Sequence, residues 1–451
     1  MLNPWLGISL VMGTLVVLLV ALRLWQRLTA PHPEVVRKLL HVGMGLLTLS
    51  FPWLFDAAWP VLLLGGAAVA TMFALRWVGR LKSTLGAVVG SVERFSLGEV
   101  YFPIAVMLLF LLYLYENPAK PERRLVLYCI PILLLALADA AAALIGIGYG
   151  RRRYNTADGE KSAEGSLAFF TCAFFVVHVP LLLGTDTGRT ETLLIALLLA
   201  WLATMFEAIA WSGLDNLALP LVSFLLLEIY LEMGAADLAL RLVVIVCLMA
   251  FLYFYRSRTT LSGSAVLGAF LVGYISWALG GWHWLLAPLI LMLSYTLLSP
   301  RTEINTRRIH NVHAVVCVAS AGLIWLFLYR IFDKPEYLFP YTLAFAAHLA
   351  IIGIARLGFD YPQMPAAWLV TVCVLKAWLL LFVPYVLAEG TALGTLGRAL
   401  LALPGVALAG GAFYLTQPGI RDCPTDTPRW LRQATHAALG SVLGLAALYV
   451  V

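Results

Sequence analysis

Residues Pro4–Leu22, PWLGISLVMGTLVVLLVAL, run for 19 residues without a charge. That is about the length a helix needs to cross a hydrocarbon core roughly 30 Å thick. No basic segment precedes the run and no small-residue cleavage pattern follows it, so it reads as a retained span and not as a cleaved signal peptide. Runs of the same kind recur along the 451-residue chain, in which 62% of residues are hydrophobic and 12% charged. A soluble domain carries about 25% charged residues, and an outer-membrane barrel would alternate polar and apolar residues over short segments. The expectation is an all-α, polytopic integral membrane protein with about sixteen transmembrane helices.

The formal net charge is +6, which invites a nucleic-acid partner, but the placement of the basic residues argues against one. Taking alternate connections between the expected spans, about 21 of the 30 lysines and arginines fall on one side of the bilayer and about 7 on the other. An excess of Lys and Arg marks the cytoplasmic side, so the basic residues answer to the bilayer. Lys376 and Arg398 lie in or beside spans, and the reading finds no role for Lys376. The six cysteines form no CxxC and mostly fall inside spans, as small packing residues would. Polar segments thin out after Tyr255–Thr260, and we divide the chain there into residues 1–255 and 256–451.

Four polar segments in the first division share the expected cytoplasmic side. In VRKLLHVGMG, Arg37, His41 and Gly45 recur every four residues on one helix face, and Lys38 neighbours His41 at i, i+3. Snorkelling near a span end accounts for Arg37 and Lys38 but less well for the deeper His41. In ERFSLGEVYFP, Glu93, Arg94 and Glu99 flank Gly98 at the mouth of a span, where capping is the plainer alternative. The third segment, DAAAALIGIGYGRRRYNTADGEKSAEGSLA, covers Asp139–Ala168. Asp139 lies in an apolar helix, where a carboxylate is expensive and marks a functional site by default. Asp139, Ala143, Gly146 and Gly150 share a small-residue face.

Beyond it come Arg151, Arg152, Arg153 and Lys161, then a helix mouth near Ser162, Glu164, Gly165 and Ser166. Cations, backbone N–H groups and a helix N-terminus together suit a polyphosphate, although capping also explains Ser162 and Glu164, and helix packing the glycines. The fourth segment holds Glu207 inside a span and Asp215 with Asn216 at the next turn. Acids beside a phosphate cradle suggest Mg²⁺ held between carboxylates and nucleotide oxygens, with Asp139, Glu99, Glu207, Asp215 and Asn216 as the candidate ligand set. Phosphoryl transfer needs positioning and charge neutralisation more than covalent chemistry.

At these residues the chain resembles the membrane-bound CTP-dependent polyprenol kinases: dolichol kinase and, more closely, the phytol and farnesol kinases. Phosphatidate cytidylyltransferase is a distant relative of that group. The matching pieces are Arg37–Gly45, Arg94–Pro103, Asp139–Gly150, Lys161–Ala168, and Glu207 with Leu214–Pro220, in order over about residues 30–230. The resemblance implies transfer of the γ-phosphate of CTP to a prenyl alcohol, with Mg²⁺ as cofactor. It implies that the Asp139–Gly150 and Lys161–Ser166 region binds the nucleotide. Within the polar segments themselves, Asp139, Lys161, His41 and Arg37 are the candidate catalytic residues, and Gly146, Gly150, Arg151–Arg153, Lys161, Ser162, Glu164, Gly165, Ser166, Lys38 and Arg94 the candidate nucleotide ligands. Leu261–Trp284 with RRIHNVHAV resembles the start of the phytyl-phosphate kinase type, but the acidic Asp-Thr and Ser-Glu motif of that type is absent, so residues 256–451 carry no assigned role. Two other readings stay open: a cytidylyltransferase acting on a lipid phosphate, and a lipid-phosphate transporter or flippase, since intramembrane charges also mark transport paths.

Overall fold

The computed structural model describes residues 3–77, 98–156, 159–209, 213–255, 261–297, 310–419 and 427–448. Among these, ten helices are long and apolar enough to cross a membrane, and two shorter apolar helices accompany them. The chain divides into two compact units, Met1–Cys247 and Leu248–Val451. That division falls within a helix, a few residues before the 255/256 boundary read from the sequence.

In the first unit, α1 spans Pro4–Thr29, α2 Pro33–Leu49, α3 Phe51–Leu54, α4 Ala58–Trp77 and α5 Gly98–Tyr115. α6, Pro121–Leu133, runs through a π-helical turn at Leu134–Ala138 into α7, Asp139–Tyr149. A hairpin follows, with strand β1 at Arg153–Thr156 and β2 at Gly159–Ser162. Then come α8 Ala163–Gly184, α9 Arg189–Ile209, α10 Asp215–Tyr230 and α11 Ala235–Tyr255. Short polar signals start these helices. Asn3 Oδ1 accepts from Trp5 N at 2.9 Å with Pro4 at the first helical position, and Ser162 Oγ accepts from Gly165 N at 3.1 Å.

α8 packs against α7 and α9, α10 against α5 and α6, and α2 against the π turn and α7. The buried Tyr128 of α6 donates its hydroxyl to the Thr48 carbonyl at 2.8 Å, tying α6 to the end of α2. The π turn begins three residues after Pro131, which has no N–H to give the helix ladder. Such single-turn bulges often occur at functional sites.

The second unit holds α12 Gly263–Gly280, α13 Trp282–Leu297, α14 Val312–Phe332, a 3₁₀ turn at Pro335–Tyr337, α15 Leu338–Asp360, α16 Ala366–Glu389, α17 Leu393–Thr416 and α18 Thr427–Leu448. α15 is the buried centre, packed against α13, α14, α16, α17 and α18. An apolar core helix of this kind fills its flanks with aromatic and small side chains, here Phe339, Tyr341, Phe345, Ala347 and Ala350.

The expected all-α membrane character holds, with one departure. Arg153–Thr156 and Gly159–Ser162 form a two-stranded antiparallel pair that sets Tyr154 opposite Lys161, where the sequence suggests only a polar loop. Gly159 pairs with Thr156 as the first residue of β2, so the Asp158–Gly159 dipeptide is not the two-residue connection that would signal a hairpin in the sequence.

Candidate active site

The site is built where four distant segments of the first unit meet. α2 contributes one face: Lys38, His41 and Gly45, at i, i+3 and i+7. The Lys38 ammonium lies 2.6 and 2.5 Å from the two oxygens of Asp139, the first residue of α7. One turn on, His41 Nε2 is 3.3 Å from the Leu135 carbonyl in the π turn and 3.9 Å from Asp139 Oδ2, and its ring meets Phe102 edge-on. A further turn on, Gly45 abuts Ala136, and a side chain at Gly45 would occupy the same space. The widened turn and this stripe of α2 therefore fit together and deliver Asp139 to Lys38.

The second half of the site comes from β2, α9 and α10. Lys161 reaches from the hairpin to Glu207 near the end of α9, donating to Oε1 at 2.7 Å and to the Glu207 carbonyl. Burial by itself would lower the Lys161 pKa, but the Glu207 carboxylate beside it, with Asp215 and Asp139 beyond, holds it above its ordinary value. Asp215 opens α10 within electrostatic reach of Glu207, Asp139, Lys161 and Lys38. Gly213, at φ +81°, supplies the left-handed residue of the turn just before it. Three carboxyl groups thus face two ammonium groups in a mostly buried setting.

The remaining candidates take varied places. Arg37 pairs with Glu34, its Nε 3.0 Å from Oε2, and stays within electrostatic reach of Asp139, while Lys38 takes the direct contact that the spacing alone would have allowed either residue. Glu99, half-buried at the start of α5, lies within electrostatic reach of Arg37. Asn216 sits beside Asp215, its backbone N–H bonded to the Gly213 carbonyl at 3.0 Å. Arg94 falls outside the described residues.

Gly146, Gly150 and Gly165 form the close contact between α7 and the start of α8. A Cβ on Gly165 would lie 2.9 Å from the Ala142 carbonyl oxygen and 3.4 Å from Gly146 Cα, and one on Gly150 would lie 2.8 Å from Ser162 Oγ. Ser162 caps α8 beneath this contact. Glu164 accepts from the backbone N–H groups of Arg151 (3.1 Å) and Arg152 (3.3 Å), clamping the turn that presents the three exposed arginines. Arg153 also pairs with Glu160 across the hairpin at 3.2 Å. Ser166 is half-buried one turn into α8.

Among the described residues, no three His, Cys, Asp or Glu side chains come together as a metal cage. An ion of the Mg²⁺ type is commonly bound through one or two carboxylates and completes its shell with substrate phosphates and water. Asp139, Glu207 and Asp215 are the side chains able to supply those oxygens.

One curated relative is the phytol kinase of Synechocystis sp., 30% identical over 222 residues, which make up 49% of this chain and 90% of that protein. No family model matches the chain, and no solved structure matches it.

Proposed function

This chain belongs to the phytol kinase family, and on that premise we propose that residues 1–255 form a lipid kinase transferring the γ-phosphate of CTP to a prenyl alcohol such as phytol, farnesol or a longer polyprenol. The observation that carries the reading is the convergence of Lys38, Asp139, Glu207 and Asp215 from four helices and of Lys161 from the hairpin onto one cluster with more carboxyl than ammonium groups. Such a cluster would accept a nucleoside triphosphate with its magnesium: Lys38 and Lys161 would hold phosphate oxygens, and Asp139, Glu207 and Asp215 would be the carboxylates available to the ion. When bound, Mg²⁺ neutralises charge on the β- and γ-phosphates.

Lys161 and the exposed arginines of the 151–153 turn hold the triphosphate. Lys38, with His41 behind it, faces the transferring group. A carboxylate of the cluster, Asp215 or Asp139, takes the alcohol proton. The alcohol oxygen bonds to the γ-phosphorus as the bond to the β–γ bridging oxygen breaks, leaving prenyl phosphate and CDP. Arg37, Glu99 and Asn216 shape the field around these groups.

The proposed topology keeps about sixteen spans with the Lys- and Arg-rich connections in the cytoplasm, so the site opens on the cytoplasmic face of a bacterial inner membrane. The alcohol then enters from the bilayer and CTP from water. Residues 256–451 act as an accessory membrane domain.

Purified protein in nanodiscs, given CTP labelled at either the α- or the γ-phosphate and a panel of prenols, tests the reading, with ATP as the control donor. Transfer of γ-label alone to a lipid supports it. Transfer of α-label to a lipid indicates a nucleotidyltransferase instead, and no lipid label with any prenol overturns the proposal.

A further inference from the structure

Lys376 stands near the middle of α16, ten residues after Ala366 and thirteen before Glu389, in a helix whose composition and length suit a membrane span. At 1.5 Å per residue it is about 15 Å of helix from one end and about 20 Å from the other. A lysine near a span end snorkels to the interface, and this one is far from both. Its side chain is exposed, and among the described residues it makes no hydrogen bond and no ion pair. α16 packs on the second unit through Leu369, Cys373, Ala377 and Leu381. Another stripe, with Trp368, Leu375, Leu379, Val383 and Leu387, is exposed, and Lys376 lies along its edge, midway along the helix.

A charged side chain on the outer face of a span is expensive in lipid and is retained where something pairs with it. We infer that this face of α16 docks a transmembrane helix of another membrane protein that carries an aspartate or glutamate at mid-depth. The apolar stripe supplies the packing surface, and the Lys376–carboxylate pair supplies register and specificity. Charge complementarity selects this occupant over a second copy of the chain. Two copies related by a two-fold axis through this face would bring Lys376 against Lys376. Moreover, Asp139 is the one carboxylate standing more than a turn inside a described span, and it is bound to Lys38. Anionic lipid headgroups lie at the interface, away from this depth.

Full-length protein, donor-labelled and reconstituted in liposomes, is mixed with acceptor-labelled synthetic leucine-rich helices bearing Asp or Leu at the centre, and energy transfer is titrated. The Asp helix is expected to associate about tenfold more tightly than the Leu helix. Lys376→Met should abolish that preference and Lys376→Arg should keep it. Methionine at this exposed position leaves the span apolar, so the melting temperature of Lys376→Met should match the wild type and report intact folding. Equal binding of the two helices, or an Asp preference that survives Lys376→Met, overturns the inference. So does Lys376-dependent energy transfer between two labelled copies of the chain, which would assign the face to self-association.

Discussion

The Lys38 ammonium sits 2.6 and 2.5 Å from the two carboxylate oxygens of Asp139, a residue 101 positions further along the chain. The pair is largely shielded from solvent, with side chains 9% and 15% exposed. Removing one partner from such a pair leaves an uncompensated charge, whereas replacing both by apolar groups is often neutral.

Asp139→Asn should therefore lose at least about a hundredfold in phosphoryl transfer, on the scale of removing one electrostatic stabiliser, and should also melt at a lower temperature. The double variant Lys38→Met with Asp139→Leu should recover the melting temperature but none of the activity. Thermal unfolding followed in parallel with turnover separates the two effects. Recovery of activity in the double variant would show that the pair is structural only.

The Lys161–Glu207 pair makes a pH prediction. Glu207 lifts the Lys161 pKa above the ordinary 10.5 against the opposing effect of burial. A raised folded-state value means that the stabilisation is fully present below the unfolded pKa and is lost only as pH rises through the folded one. Wild-type turnover should thus show no basic limb from Lys161 at physiological or mildly alkaline pH. In Glu207→Gln the opposing effect of burial is left less balanced, and a basic limb should move down into the measurable range of the pH–rate profile. An unchanged profile would remove Lys161 from the transfer step.

Gly165 and Gly148 differ although both lie in the glycine-rich segments. Gly165→Ala must push against the Ala142 carbonyl at 2.9 Å and Ser162 Oγ at 3.1 Å, an overpacking that costs about 1–3 kcal/mol. Gly148 has nothing within 4 Å of its would-be Cβ, and alanine there should raise helix stability by about 0.5–1 kcal/mol. Melting temperatures of the two variants should move in opposite directions.

Much of this arrangement is legible in the sequence, and the parts that are not have physical reasons. Charge-free stretches such as Pro4–Leu22 announce spans because no other setting tolerates them. Asp139 and Glu207 stand out because acids in apolar helices are costly. Ser162 reads either as a nucleotide ligand or as a helix cap, and it caps α8. Helical periodicity could not choose between Arg37 and Lys38, since adjacent residues differ by only about 100° and the position of Asp139 is a tertiary fact. Gly146, Gly150 and Gly165 read equally as a phosphate cradle or a packing contact until α7 and α8 are seen touching. The hairpin at Arg153–Ser162 has strands of four residues each, too short for an alternation to emerge from Arg, Asn, Glu and Lys. Lys376 was visible from the start, but its outward direction was not.

Glu164 tests the difference between holding a ligand and holding a loop. Its carboxylate accepts from the Arg151 and Arg152 N–H groups. Glu164→Gln keeps an oxygen acceptor and should behave almost as wild type. Glu164→Ala frees the arginine turn and should raise the KM for CTP several-fold with little change in kcat. A large kcat loss in Glu164→Gln would instead place the carboxylate at the reacting groups.

The central claim is that phosphoryl transfer takes place at the cluster of Lys38, Asp139, Lys161, Glu207 and Asp215. Single-turnover transfer of the γ-label from CTP to phytol in nanodiscs tests it most directly, comparing wild type with Asp139→Asn and Lys161→Ala, each checked for folding by melting. Labelled prenyl phosphate is expected from the wild type and none above background from either folded variant. Near-normal turnover by folded Asp139→Asn or folded Lys161→Ala would contradict it.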